Sequence, residues 1–443
     1  MEKGPKIIIE PPGPRAKQII ERDKNSVVQS FSRWYPLVVD KGDGVFIYDV
    51  DGNKYLDFNA GIAVNALGYS NKRLQEAITN QTQKLIHYSF TDFLYESTVR
   101  LAEKLIEISP INKDVKIFFG NSGAEANEAM MKVARWSTRR QNIIAFIGSF
   151  HGRTYGAMSL TASRPVQRRF FGPFVPNIEH VPFPYCYRCP FGLNPENCDL
   201  FCVDYIEEQV FQKFVPPEET ALFIAEAIQG EGGYIPAPEA YFKKLKKILD
   251  KYGILLGVDE VQSGVGRTGK WFAIEHYGVK PDLVSIAKAI GGGLPLGILL
   301  GRSELMELDA GSHASTFGGN PVSCEAALIV IDEIEKRRLL EKVTLNGEYV
   351  LKRLKEFQEK IEKIGDVRGR GLMIGIELVK DRKSKEPATK MLEEVLVRCW
   401  KRGLAIIGAG KSVIRICPPL IIEREELDIG LDILEAVLKE TEK

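Results

Sequence analysis

Between Gly253 and Gly293, two short apolar runs each end on one ionisable side chain, and this pairing constrains the fold more than any other feature. The first run is Ile254-Leu255-Leu256-Gly257-Val258, broken by Asp259-Glu260. The second is Asp282-Leu283-Val284-Ser285-Ile286-Ala287, ending on Lys288 ahead of Gly291-Gly292-Gly293. Unbroken runs of this length read as strands buried on both faces of a parallel sheet. In such sheets ligands sit at the C-terminal strand edge. An acid and a lysine emerging there suit one chemistry. The lysine holds a carbonyl cofactor as a Schiff base, and the acid holds a pyridinium nitrogen.

The loop between the runs contains a competing pattern. Gly264, Gly266 and Gly269 satisfy GxGxxG, which marks a dinucleotide site only with a strand directly before it and a helix directly after. Here five residues separate the first run from Gly264, and Lys270-Trp271-Phe272 is a poor helix start. The loop is therefore not read as a dinucleotide site. Lys288 alone would read as a solvated lysine at a strand end; the acid, the glycines and the motifs below reverse that.

A chain of 443 residues can bury a large core and make two domains. With 44% hydrophobic and 27% charged residues and a net charge of +1, it offers no global field for nucleic acid or an anionic membrane. No apolar run approaches the roughly 18 residues of a spanning helix. Met1 to Lys24 alternates charge and proline without a signal-peptide core, which makes the cytoplasm the expected compartment. The five histidines, His87, His151, His180, His276 and His313, show no metal-ligand spacing, so no catalytic metal is expected. Cys186, Cys189, Cys198 and Cys202 form CxxC-x8-CxxxC in a proline-rich loop. They read as a structural staple, made by zinc or by disulfides, with free thiols also open.

Several more segments carry chemistry by pattern. Lys116-Ile117-Phe118-Phe119 is a short strand, Gly120-Asn121-Ser122-Gly123-Ala124 breaks it, and Glu125 to Trp136 reads as a helix. A strand, a small-residue turn and a helix N-terminus make an anion site from backbone N–H groups, the helix dipole and the Ser122 hydroxyl. Alone, the same residues fit an ordinary strand–helix turn. Val45 to Phe58 reads as a hairpin about Asp51-Gly52-Asn53. Asn142 to Ile147 is a strand leading to Phe150 and His151, Leu222 to Ala225 delivers Glu226, and Leu296 to Gly301 resembles an antiparallel strand.

Taken with Asp259-Glu260-Val261-Gln262, Gly266-Arg267-Thr268-Gly269 and Ala287-Lys288, these motifs resemble the class-III aminotransferases, fold-type-I enzymes of pyridoxal 5'-phosphate. The resemblance covers nearly the whole chain and points to the 4-aminobutyrate and ornithine branch, through Phe150 to Thr154 and Thr316 to Pro321. It implies an α/β fold: a large, mostly parallel sheet domain flanked by helices, and a smaller α+β domain built from both chain ends. The expected divisions are an arm over residues 1–70, a cofactor-binding domain over 71–334, and a small domain over 335–443.

The resemblance also implies roles. Lys288 bonds the cofactor and moves a proton at the substrate's Cα, aided by an amine pKa lowered by burial and the cationic ring. Asp259 keeps the ring nitrogen protonated, Gln262 reaches the phenolate oxygen, and Phe150 stacks on the ring with His151 in support. Ser122, Gly123 and Ala124 form the phosphate loop, and Thr316 reaches the phosphate of a neighbouring subunit, which implies a homodimer or a dimer of dimers. Arg415 binds the substrate α-carboxylate, paired with Glu226, a glutamate that swings aside in the family. Two departures stand out. Gly68 is followed by Tyr69 where most relatives have histidine, and Ala227 stands where many have proline.

These residues serve two reactions. An aminotransferase would move the amino group from a small-molecule amino donor to a keto-acid acceptor, 2-oxoglutarate. An amino-acid racemase would return the proton to Cα from the opposite face, for which Tyr69 or a water could serve as the second acid. Transfer is the favoured reading and racemisation the alternative. A non-catalytic binding protein would be expected to lack Lys288 or Asp259, and both are present.

Overall fold

The computed structural model describes residues 4–442. The chain divides into two compact units. One runs from Glu76 to Leu340; the other combines the segment up to Gln75 with the segment from Glu341 onward.

The Glu76–Leu340 unit is built on a seven-stranded sheet. Its strands are β1 (Val115–Gly120), β2 (Asn142–Phe146), β3 (Ile178–Val181), β4 (Thr220–Ala225), β5 (Leu255–Asp259), β6 (Leu283–Ile286) and β7 (Gly297–Arg302), in the spatial order β1-β7-β6-β5-β4-β2-β3. β5 runs parallel to both β4 and β6, while β7 is antiparallel to β6 and β1. Every residue of β2, β4, β5 and β6 is buried, which is why these strands read as unbroken apolar runs.

Helix α1 (Gly123–Thr138) covers this sheet. Ser122 caps it, its hydroxyl accepting from Glu125 N at 3.2 Å, and Arg139 in a left-handed conformation ends it. Met130, Met131, Val133 and Ala134 pack into one core with Ile143, Leu222, Ile224, Leu283 and Leu299. Truncating one such buried leucine to alanine costs about 2–5 kcal/mol.

The other unit holds two four-stranded sheets. In the first, Phe46–Asp49 and Lys54–Asp57 form the expected hairpin, with Gly52 at φ +91° in its turn. Lys54–Asp57 also pairs in parallel with Leu404–Ala405, which stitches the two chain ends together. The second sheet is antiparallel: Ile364–Arg370, Met373–Leu378, Val413–Ile416 and Ile407–Ala409, in that order. Arg415 lies on its third strand, opposite Gly375 and Ile407. Among the described residues, no helix is long and apolar enough to cross a membrane.

Candidate active site

The register of the sheet brings the two ionisable residues of the central stretch to one edge. β5 and β6 are parallel with Asp259 opposite Ser285, so both strands finish at the same level. Lys288 follows β6 by two residues and opens a single 3-10 turn, Lys288–Gly291. Its φ is +48°, a left-handed conformation that costs a residue with a Cβ on the order of 1–3 kcal/mol. Such strain is characteristic of residues whose placement is set by function rather than by local preference.

Asp259 is buried at 4% exposure and gathers three N–H donors. Its Oδ2 accepts from Asn127 Nδ2 at 2.7 Å and from His151 Nδ1 at 2.8 Å, and its Oδ1 accepts from Val261 N at 2.9 Å. Asn127 is itself fixed: Nδ2 also donates to His151 O at 2.8 Å, and Oδ1 accepts from Ser285 Oγ at 2.7 Å. A helix, a loop and a strand thus hold one carboxylate. Asn127 was not singled out from the sequence, yet a signal existed. It sits on the face of α1 that carries Met130, Met131 and Ala134, a polar residue in an apolar stripe.

Two more buried carboxyls flank Asp259. Glu226, one residue beyond β4, accepts from Gly230 N at 2.9 Å and from Phe150 N at 3.1 Å. Burial pushes its carboxyl up to about 7; His151 opposes that shift and Asp259 adds to it. Glu260 is fully buried and accepts from Ile274 N at 2.8 Å and from the Ser263 hydroxyl. Burial pushes it to about 7 as well. In the sequence Glu260 has no signal of its own, since it stands beside Asp259 where the same apolar run ends. Its contacts tie the two ends of the glycine-rich loop together. That loop is no dinucleotide site, since turns follow β5 and only a short 3-10 turn, Ala273–Tyr277, comes after it.

The turn ahead of α1 is held as tightly. The first N–H groups of α1 have no acceptor within the helix. Glu125 folds back on the residues before it: its Oε2 accepts from Asn121 N at 2.8 Å and from Ser122 Oγ at 3.0 Å. Glycine is required twice by close approach. A Cβ on Gly123 would stand 2.8 Å from the Val261 side chain, and a Cβ on Gly297, the first residue of β7, would fall on the Ser122 backbone. The loop is wedged between the segment after Asp259 and the start of β7.

The remaining sequence candidates fall as follows. Ala124 and Phe150 are half-buried, and Arg153 lies over the Phe150 ring at 5.5 Å. Gln262 is half-buried and its Oε1 accepts from Tyr234 OH at 2.7 Å. Thr316 is exposed, while its neighbour Ser315 accepts from Asn121 Nδ2 at 2.9 Å. In the other unit, Arg415 is buried at 3% exposure and donates from Nε to Gly408 O at 2.8 Å. Tyr69 donates its hydroxyl proton to Asp57 at 2.7 Å, and burial, with the Asp57 charge, holds that hydroxyl far above its ordinary pKa. That commitment makes Tyr69 a poor second acid.

Residues 28–438 match the family model for class-III aminotransferases. The chain is 44% identical to the leucine/methionine racemase of Thermococcus litoralis, covering 97% of each protein. It is 43% identical to the alanine/serine racemase of Pyrococcus horikoshii, over 99% of this chain and 93% of that one. It is 41% identical to the acetylornithine aminotransferase of Archaeoglobus fulgidus, over 94% and 99%. A solved omega-transaminase from Pseudomonas jessenii, in complex with PMP, superposes with a TM-score of 0.89 at 30% identity, covering 95% of this chain and 97% of that one. The chain belongs to the class-III aminotransferase family, and with it to the enzymes that depend on pyridoxal phosphate.

Proposed function

We propose that this enzyme is an amino-acid racemase or 2-epimerase acting on an α-amino acid with an uncharged side chain. The observation that carries this is the near-complete alignment, at 43–44% identity, with two racemases whose named substrates are all uncharged in the side chain. The residues present fit pyridoxal phosphate. A buried carboxylate already organised by three N–H donors, a capped helix N-terminus at the sheet edge and a lysine in a strained turn are the groups this cofactor needs.

In this reading Lys288 would hold the cofactor covalently, Asp259 would pair with its ring nitrogen, and Gln262 would bind its phenolate oxygen. Phe150, backed by His151, would pack on the ring, and Ser122, Gly123 and Ala124 would take the phosphate together with Thr316 of a second copy. When bound, the cofactor acidifies the substrate's Cα–H by drawing electrons from it. Lys288, as an amine, removes or returns that proton on its own side. Arg415 takes the substrate α-carboxylate through its planar fork. The fixed state of Glu226, held by two backbone N–H groups, supports one α-carboxylate site rather than a site that switches between α-carboxylates and ω-amines.

Amino transfer from an amino acid or an ω-amine resembling ornithine or 4-aminobutyrate to 2-oxoglutarate is the second reading. It is favoured by the 41% identity to an acetylornithine aminotransferase over nearly the same length. Chiral chromatography after incubation with single enantiomers, with and without 2-oxoglutarate, separates the two. The racemase reading expects the opposite enantiomer without any acceptor. Conversion only when 2-oxoglutarate is present, with glutamate as coproduct, would select transfer.

A further inference from the structure

Four cysteines have no part in the chemistry above, and they line one cavity. Cys186, Cys189, Cys198 and Cys202 face it together with apolar neighbours such as Phe191 and Leu200. Local structure explains the convergence. Cys186 opens a 3-10 turn, Cys186–Arg188, and Cys189 follows it directly, which keeps the two near each other along the chain. Asp199 and Leu200 adopt left-handed backbone at φ 42° and 60°, and Phe201 N donates to Cys198 O at 2.8 Å. That turn ties Cys198 to the start of the short helix Phe201–Tyr205, which carries Cys202.

The four sulfurs share one small cavity of otherwise apolar lining, with Cys186 at its exposed side. All four are free thiols.

We propose that this loop is a structural zinc site in which Cys186, Cys189, Cys198 and Cys202 bind one Zn²⁺ as thiolates. Soft sulfur donors select zinc over magnesium or calcium, and a tetrahedral four-cysteine shell closes the coordination sphere, so the role is structural rather than catalytic. Binding breaks four S–H bonds, forms four Zn–S bonds and releases four protons to solvent, with no change of oxidation state. Disulfides in the same place would need an oxidant. Among the described residues no three His, Cys, Asp or Glu side chains already form a ligand shell. Zinc binding would therefore draw the four sulfurs closer together than they stand in this structure.

The intact wild-type protein, produced in zinc-supplemented medium and held in reducing buffer, supplies the test. Elemental analysis after gel filtration should find about one zinc per chain. A mercurial should release it in step with the loss of four thiols. Prolonged chelation should lower the unfolding midpoint by several degrees, and zinc, unlike magnesium, should restore it. A double variant, Cys186→Ser with Cys202→Ser, should lose the metal. Zinc lost on gel filtration would be adventitious and would overturn the site. So would a metal-free chain that stays metal-free on zinc addition, a native mass short by four hydrogens, or full zinc content in the double variant. None of these readouts depends on which reaction the enzyme catalyses.

Discussion

At the scale of single residues, the site rests on one lysine in a strained turn and three carboxyls set apart by their surroundings. Lys288→Ala should abolish fixation of the cofactor by borohydride and lower turnover by at least about 10⁴-fold. Peptide mapping of the reduced wild type should place the label on Lys288; a label elsewhere would displace it from its proposed role. Glu260 gives a pH prediction. Its carboxyl is raised from 4.5 to about 7 in the folded state, so folding favours its protonated form. That contribution is fully present below pH 4.5 and is lost as pH rises through 7. Stability should therefore fall between those values, with Glu260 supplying on the order of 3 kcal/mol of the change. Glu260→Gln should flatten this part of a denaturation series, leaving a residual slope from Glu226, whose carboxyl is raised in the same direction. An unchanged slope would mean that Glu260 does not titrate in this range.

At the scale of elements, the turn ahead of α1, proposed to take the phosphate, depends on how closely β7 approaches it. Gly297→Ala would set a Cβ onto the Ser122 backbone, and overpacking of this kind costs roughly 1–3 kcal/mol. The expected outcome is a variant that keeps Lys288 reactive but releases pyridoxal phosphate at least about tenfold more readily, as equilibrium dialysis would show. Unchanged retention would mean that the loop does not rely on this wedge. These elements were legible in the sequence to different degrees. β2, β4, β5 and β6 could be read because strands covered on both faces leave unbroken apolar runs. For the same reason Asp259 and Lys288 stood out where those runs stop. The partners of Asp259 were not legible as partners: Asn127 and His151 lie far from it along the chain and meet it only through the folded sheet and the helix covering it. Nor could spacing reveal that Tyr69 would give its proton to Asp57 or that Tyr234 would bond Gln262, since both contacts depend on tertiary packing.

At the scale of the whole molecule, more than one copy of the chain is expected to be at work. Thr316 is exposed in a single chain, as is its neighbour Phe317 at 60%. If Thr316 serves a partner's phosphate, the smallest active species is a two-fold dimer. Thr316→Ala should then weaken cofactor retention while sedimentation still reports the dimer; a fully active monomer would refute the shared site. The central claim is racemisation, which takes a proton from one face of Cα and delivers a solvent-exchangeable proton to the other. Its most direct measurement is incubation of the holoenzyme with one pure enantiomer of leucine, methionine, alanine or serine in deuterium oxide without a keto acid, followed by chiral separation and mass analysis. The opposite enantiomer should accumulate toward equality and carry one deuterium at Cα, with no more keto acid than bound cofactor. Retained configuration for every amino acid tried, with keto acid and glutamate formed once 2-oxoglutarate is added, would contradict it.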